Sequence, residues 1–180
     1  MNLADAKSAL SGGMHPVPTD PRYKKASVLV AIYGAEPAVI MTEKPKGMRF
    51  HAGEISFPGG KPDAGDTDLL DTALRETREE IGLAVSRDQV AGQLRPVITL
   101  NSGFSILPFV AVLDDIPPLA TNCEVEQIFH IPLGPLLKTM ARDSEPSHNK
   151  IQEMYTFEYS GNIVWGASAR ILQQIRERLK

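Results

Sequence analysis

The stretch that decides the fold is GGKPDAGDTDLLDTALRETREEIGL, at residues 59–83. Two glycines and a loop rich in Asp and Gly open it, and the residues that follow predict a helix over Leu69–Ile81. Asp68 is a suitable N-cap, because its short side chain can accept a hydrogen bond from a free amide of the first helical turn. Gly82 is a suitable residue to end the helix, because glycine readily adopts the left-handed conformation found there.

The predicted helix carries an apolar stripe and an acidic stripe side by side. At about 100° per residue, the residues that should face the core are Leu70, Leu74, Thr77 and Ile81. Glu76, Glu79 and Glu80 lie on the neighbouring stripe, where each like-charge pair costs roughly 0.2–0.5 kcal/mol and the negative end of the helix adds to the cost. A divalent cation would turn this repulsion into binding, because Mg²⁺ prefers carboxylate oxygens. The pattern therefore predicts either a metal site or a solvated charged face.

The loop before the helix suits a ligand that carries phosphate. Gly59 and Gly60 let the backbone approach a ligand closely, because they have no Cβ atom. The loop is not a P-loop, since no Gly-Lys-Ser/Thr sequence ends it. Together with the acidic helix, it points to a metal-bridged diphosphate.

Composition limits the classes of function. The chain has 180 residues, of which 42% are hydrophobic, and this favours one folded domain. A net charge of −3 argues against a protein held mainly by nucleic-acid phosphates or by an anionic membrane. Cys123 is the only cysteine, so neither an intrachain disulfide nor a thiolate metal cage is expected. No apolar run approaches the roughly 18 residues of a membrane span, and no secretory signal is recognisable, so a cytoplasmic protein is expected.

The remaining segments predict a mixture of strands and helices. Apolar runs at 26–33 and 38–42 predict a hairpin. Further strands are predicted at 94–100, 105–113, 125–133 and 153–161. Short helices are predicted at 2–10 and 133–140, and an amphipathic helix closes the chain on Trp165, Ala169, Leu172, Ile175 and Leu179. We expect residues 1–25 to form an N-terminal extension and residues 26–180 a single domain of the α/β or α+β class with a mixed sheet.

The glycine loop and the acidic helix together resemble the signature of the Nudix hydrolases. That signature runs Gly, five residues, Glu, seven residues, and then Arg-Glu-apolar-any-Glu-Glu-any-Gly-apolar. Here Gly60 opens it and RETREEIGL, at 75–83, closes it, with Thr77 in an apolar place. Asp66 stands where the first Glu is expected, and eight residues rather than seven separate it from Arg75. The resemblance implies a Nudix fold, in which a mixed sheet lies between helices.

A second stretch, IMTEKPKGMRFHAGEISFPGG at 40–60, resembles the extra motif of the coenzyme A pyrophosphatases within that family. The matching positions are Thr42, Arg49, Gly53, Phe57, Pro58, Gly59 and Gly60. Lys44 replaces an arginine of the motif, and Pro45 replaces a small residue. This resemblance implies cleavage of coenzyme A or acyl-coenzyme A to (acyl)phosphopantetheine and adenosine 3′,5′-bisphosphate, with Mg²⁺ or Mn²⁺ as cofactor.

The Nudix resemblance also implies roles for single residues. The implied catalytic set is Arg75, Glu76, Glu79 and Glu80, and the implied metal ligands are the three glutamates of that set. Arg75 would orient a glutamate, most simply Glu79. Asp66 is either a supporting acid or an ordinary loop residue. The general base is left open between Glu79, Glu80 and the later acids Glu124 and Glu126.

Coenzyme A carries a 3′-phosphate beyond its diphosphate, so its pocket needs additional cations. Lys44, Arg49 and His51 lie just before the glycines and are candidate substrate ligands, since arginine in particular can bind phosphate bidentately. Lys44 and Pro45 also keep open a Nudix hydrolase of ADP-ribose, dinucleotides or oxidised nucleotides. A third hypothesis is a catalytically silent nucleotide-binding module. The sequence also allows a homodimer.

Overall fold

The computed structural model describes residues 1–15, 20–47, 53–99, 102–145 and 154–180. The helices are α1 (Leu3–Leu10), α2 (Leu69–Ile81), α3 (Leu133–Lys138) and α4 (Gly166–Arg178), with a 3₁₀ turn at Arg87–Gln89. The strands are β1 (Lys24–Tyr33), β2 (Ala38–Glu43), β3 (Ile55–Ser56), β4 (Gly59–Gly60), β5 (Val90–Gln93), β6 (Val97–Ile98), β7 (Phe104–Leu113), β8 (Gln127–Pro132), β9 (Ala141–Arg142), β10 (Tyr155–Tyr159) and β11 (Asn162–Val164).

A mixed sheet forms the centre of the molecule. Its main path runs β3-β2-β1-β7-β5, while β8 pairs with β2, β4 with β1, and β6 with β7. The two longest strands, β1 and β7, lie parallel in register from Lys24 opposite Phe104 to Tyr33 opposite Leu113. The other pairings in this sheet are antiparallel. A smaller sheet joins β11, β10 and β9.

Helices cover both faces of the central sheet. Leu29 and Ala31 of β1 belong to the apolar cluster that packs against α2. Val30 and Ile32 belong to the cluster on the other face, to which α1, α3 and α4 contribute. This alternation buries both faces of β1, as expected for a strand inside a sandwich. The predicted mixed sheet between helices is confirmed.

The predicted bounds of α2 are confirmed. The Asp68 carboxylate accepts a hydrogen bond from the amide of Asp71 at 2.9 Å, as an N-cap does. Gly82 has φ +73° and its amide donates to the carbonyl of Arg78 at 3.0 Å. Leu70, Thr77 and Ile81 are buried as predicted, and Leu74 is partly buried.

The structure corrects several smaller predictions. The strand expected at 94–100 is reduced to β6, and β5 was not predicted. Trp165 is not part of the closing helix: it precedes α4 in an extended conformation and is 39% exposed. Ala169, Leu172 and Ile175 do face the core, as predicted. Within the described residues, no helix is both long enough and apolar enough to cross a membrane.

Candidate active site

The glycine loop lies directly against β1. Gly59 and Gly60 pair with Val28 and Ser27 as the short strand β4. A Cβ atom on Gly59 would lie 2.2 Å from the carbonyl oxygen of Ser27 and 2.6 Å from the Cα of Val28. Since real Cβ atoms do not approach that closely, this position requires glycine.

At Gly60 the close neighbour is a side chain and not the backbone. A Cβ atom there would lie 2.5 Å from both Cδ and Oε1 of Glu76. The carboxylate of Glu76, on α2, therefore rests on the bare backbone of the loop. Loop and helix therefore bring the Gly60 backbone and the Glu76 carboxylate into close contact.

Arg75 joins the acids of this region. Its Nε and Nη2 donate to the two carboxylate oxygens of Asp66 at 2.9 and 3.0 Å. Its Nη1 donates to Glu76 Oε1 and to Glu79 Oε2, both at 3.0 Å. Nη2 also donates to the carbonyl of Lys61 at 3.0 Å. Arg75 thus contacts Glu79 as the hypothesis expected, and it contacts Glu76 as well.

Asp66 is both a partner of Arg75 and a loop residue. Its Oδ2 accepts hydrogen bonds from the Asp63 amide at 2.8 Å and from Thr72 Oγ1 at 2.9 Å. The Arg75 guanidinium holds the pKa of the Asp66 carboxyl well below its usual range. In return, Asp66 raises the pKa of Arg75. The pair stays ionised and fixes the loop to the helix.

Glu80 is the most buried of the three glutamates, with a relative exposure of 2%. Its Oε1 lies 2.6 Å from the Nζ of Lys44, and its Oε2 accepts a hydrogen bond from the Gly59 amide at 3.2 Å. Burial raises the pKa of the Glu80 carboxyl, although Lys44 acts in the opposite direction. Lys44 was predicted as a substrate ligand, and the ion pair with Glu80 was not predicted.

The donor set of this site fits a hard divalent cation. Glu76, Glu79 and Glu80 offer carboxylate oxygens from α2, with Glu76 against the backbone of Gly60 and Glu80 bonded to the Gly59 amide. Among the side chains that the structure describes, no group of three or more His, Cys, Asp or Glu residues is already arranged around one point. The glutamates bond instead to Arg75 and Lys44.

A pocket of about 610 Å³ opens beside the glycine loop. It lies between β4, the first residues of β1 and β7, and the start of α4. Its walls include the side chains of Phe57, Ile98, Phe104, Ile106, Trp165 and Ile171, and Lys44 and Lys61 also line it. Phe57 was predicted as a packing residue, and it is 2% exposed. Arg49 and His51, the other predicted substrate ligands, lie outside the described residues.

Several residues in or next to the pocket escaped the sequence analysis. The Nζ atoms of Lys61 and Lys24 lie 5.3 and 5.9 Å from the centroid of the Phe104 ring. Trp165 was assigned to the closing helix because its spacing matched that of Ala169 and Leu172. One sequence feature that indicates this region is the adjacent pair Lys24 and Lys25. Charged residues at the start of an apolar strand indicate a strand end that is exposed to solvent.

The two late acids lie in a segment that contacts the C-terminal end of α2. The amide of Asn122 donates to the carbonyl of Glu80 at 3.0 Å. Glu124 and Glu126 are exposed, and neither lines the pocket. The choice of general base among Glu79, Glu80, Glu124 and Glu126 stays a prediction.

The family model and the similar curated proteins indicate the same family. The family model of the NUDIX domain matches residues 23–150. Nudix hydrolase NudL of Yersinia pestis (strain Pestoides F) is 32% identical over 160 residues, which cover 87% of this chain and 80% of that protein. NudL of Yersinia pseudotuberculosis serotype O:1b gives the same values.

Two solved structures share the fold at low sequence identity. A MutT/nudix family protein from Enterococcus faecalis superposes with a TM-score of 0.61 at 14% identity, over 90% of this chain and 63% of that one. The NUDIX domain of Shewanella oneidensis NrtR, complexed with ADP ribose, also gives 0.61, at 17% identity over 90% and 94%. At these identities the likeness concerns the fold alone.

Proposed function

This chain belongs to the Nudix hydrolase family and is a pyrophosphohydrolase, and on that premise we propose that its substrate is coenzyme A or an acyl-coenzyme A. Water adds across the P–O–P bond, so that one phosphorus gains the hydroxyl and the other phosphate leaves with the bridging oxygen. The products are (acyl)phosphopantetheine and adenosine 3′,5′-bisphosphate.

The observation that carries this proposal is the apolar pocket next to the glycine loop. A diphosphate held at Gly59 and Gly60 has one uncharged arm in coenzyme A, the pantetheine with or without its acyl group. The walls formed by Ile98, Phe104 and Trp165 suit such an arm, because burying apolar surface there is favourable.

Cations at the edge of the same pocket suit a substrate with a further phosphate. Lys61 lines the pocket, and both Lys61 and Lys24 lie over Phe104. No carboxylate pairs with either lysine among the described residues. We add them to Lys44, Arg49 and His51 as proposed phosphate ligands.

Glu76, Glu79 and Glu80 would hold Mg²⁺ or Mn²⁺. When bound, the ion neutralises the charge of the diphosphate and lowers the pKa of a coordinated water. Arg75 orients Glu76 and Glu79, since one guanidinium nitrogen donates to both. The Gly59 amide fixes Glu80. Asp66 holds Arg75, so the loop, the guanidinium and the glutamates form one connected unit.

A hydrolase of ADP-ribose or of a related nucleoside diphosphate is the second candidate. Lys44 and Pro45 depart from the coenzyme A motif at adjacent positions, and this favours the alternative. The NrtR NUDIX domain was solved with ADP ribose, although its likeness extends only to the fold. A silent binding module is disfavoured, because it has no need for a complete acidic set beside Arg75.

A substrate panel separates these functions. Purified protein is incubated with Mg²⁺ or Mn²⁺ and coenzyme A, acetyl-coenzyme A, ADP-ribose or a dinucleoside polyphosphate, and the products are resolved by chromatography. Glu79→Gln removes one proposed metal ligand, and Glu177→Gln is the matched control on α4. We expect adenosine 3′,5′-bisphosphate from wild type and Glu177→Gln, and a loss of at least about 100-fold in Glu79→Gln. Preferential turnover of ADP-ribose would overturn the substrate assignment, and nucleotide binding without turnover by wild type would favour the binding module.

A further inference from the structure

Lys44 and Glu80 form the closest ion pair of the active site. The ammonium lies 2.6 Å from Oε1 of Glu80, and the side chains of Lys44 and Glu80 are 19% and 2% exposed. The other oxygen of Glu80 is occupied by the Gly59 amide. A divalent cation that uses Glu80 must therefore compete with Lys44 for Oε1 or be repelled by it at short range.

The side chain of Lys44 contacts the substrate pocket as well as Glu80. Its backbone is fixed, because its amide donates to the Glu54 carbonyl and its carbonyl accepts from the Gly53 amide, both at 3.0 Å. Its flexible four-carbon stem leaves the ammonium free to move while the backbone stays in place. Lys44 also lines the pocket beside Gly59 and Gly60. A phosphate in that pocket offers an anionic partner within reach of the same side chain.

We propose that Lys44 exchanges partners: it neutralises Glu80 until a divalent cation takes that carboxylate, and it then contacts a phosphate oxygen of the substrate. The inference rests on the proposed function, because it needs both the metal site and a phosphate-bearing substrate. Its consequence is a coupling between the two ligands. The metal releases the cation that the nucleotide uses, so each ligand favours the binding of the other.

Metal binding without nucleotide tests the first half of the exchange. Mn²⁺ binding is titrated by the loss of the free-ion electron paramagnetic resonance signal in wild type, Lys44→Met and Lys44→Arg. Removing the competing ammonium should tighten Mn²⁺ binding by about tenfold in Lys44→Met, whereas Lys44→Arg keeps the charge and should stay near wild type. Lys138→Met removes a lysine from α3, on the other face of the sheet, and should change nothing.

The outcomes separate this inference from the proposed function. If wild type binds Mn²⁺ and Lys44→Met binds it no more tightly, the exchange is overturned and the metal site stands. Wild type that binds no Mn²⁺ would overturn the metal site and the exchange together.

Chemical reactivity of the wild-type lysine tests the second half without any variant. Brief reductive methylation followed by mass spectrometry measures the modification of Lys44, with Lys138 as the internal reference. We expect Mg²⁺ to increase the modification of Lys44 several-fold, and ADP added with Mg²⁺, as a diphosphate probe, to reduce it again. Modification of Lys44 that is insensitive to Mg²⁺, or that ADP does not reduce, would show that the ammonium does not exchange and would overturn the proposal.

Discussion

Asp66 accepts two hydrogen bonds from Arg75, and the same guanidinium reaches Glu76 and Glu79. Asp66→Asn keeps the size of the side chain and removes its charge. We expect it to lower the free energy of unfolding by about 1–3 kcal/mol, because a largely buried charged pair loses one partner. It should also lower kcat by about tenfold or more, since Arg75 no longer holds the glutamates in place. Asp115→Asn, at an exposed carboxylate after β7, is the control and should match wild type in both measurements.

The lowered pKa of Asp66 predicts that the stability of the protein depends on pH. The pKa of Asp66 is lowered in the folded protein, so the unfolded chain binds more protons than the folded one at low pH. Its stabilising contribution is complete above the ordinary aspartate pKa of 3.8 and is lost as the pH falls below that value. The difference in thermal stability between wild type and Asp66→Asn should therefore be largest at pH 7 and should shrink as the pH falls from about 4 to ~2.5. A constant difference across this range would contradict the assignment.

Alanine substitutions at Gly59 and Gly60 should affect different properties: the first should lower stability, and the second should lower kcat. In Gly60→Ala the atoms nearest to the new methyl group belong to the end of the Glu76 side chain, so the fold should persist while the glutamate is displaced. We expect kcat to fall by about 100-fold with little change in Tm. In Gly59→Ala the methyl group meets the backbone of Ser27 and Val28, and stability should fall by about 3 kcal/mol or more. Equal effects of the two substitutions on Tm and kcat would contradict this division of roles.

At the residue scale, the sequence predicts which side chains take part better than it predicts their partners. Local spacing on one helix placed Arg75 beside Glu79, and the contact is present at 3.0 Å. The pair of Lys44 and Glu80 joins residues 36 positions apart, from a strand end and a helix, and no spacing rule reports such a contact. Arg75 reaches Asp66 because the loop places that carboxylate beside the guanidinium. The residue types alone do not define the backbone conformation of this loop.

At the scale of elements, α2 shows why long periodic segments are predictable. Its caps and its buried stripe act at known spacings, and its observed bounds are Leu69–Ile81. Strands of two residues, such as β4 and β6, contain no period to detect. β5 was missed because Gly92 opposes a strand assignment. The structure explains this glycine, since a Cβ atom there would lie 2.6 Å from the carbonyl oxygen of Leu10.

The start of α2 is stabilised twice by Asp68. Its side chain caps the helix at the Asp71 amide and also pairs with Arg87 at 2.6 Å. We expect Asp68→Ala to lower the free energy of unfolding in urea by about 0.5–2 kcal/mol, because the cap is lost. Arg87→Ala removes only partly exposed ion pairs, to Asp68 and Asp71, and should cost less than about 1 kcal/mol. If Arg87→Ala were the more damaging of the two, the ion pairs and not the cap would stabilise this helix end.

At the scale of the whole molecule, the sheet positions the site by bringing distant segments together. β1 carries the glycine loop on one side and β7 on the other. The pocket then closes against the first residues of α4, near the C-terminal end of the chain. The sequence predicted the acidic half of this site because it lies within 25 residues at 59–83. The apolar half comes from segments far apart in the chain, and only the fold joins them.

The first helix tests how far the fold extends towards the N-terminus. Leu10, within the N-terminal extension predicted for residues 1–25, is fully buried in the cluster that α3 and α4 also form. The amide of Gly12 donates to the Ala91 carbonyl at 3.1 Å, which ties the end of α1 to β5. Leu10→Ala should therefore lower the free energy of unfolding by about 2–5 kcal/mol, the cost of a cavity in a packed core. Leu3→Ala, at a partly buried position of the same helix, should cost clearly less. Urea unfolding that leaves Leu10→Ala as stable as wild type would show that α1 is an appendage whose packing the domain does not need.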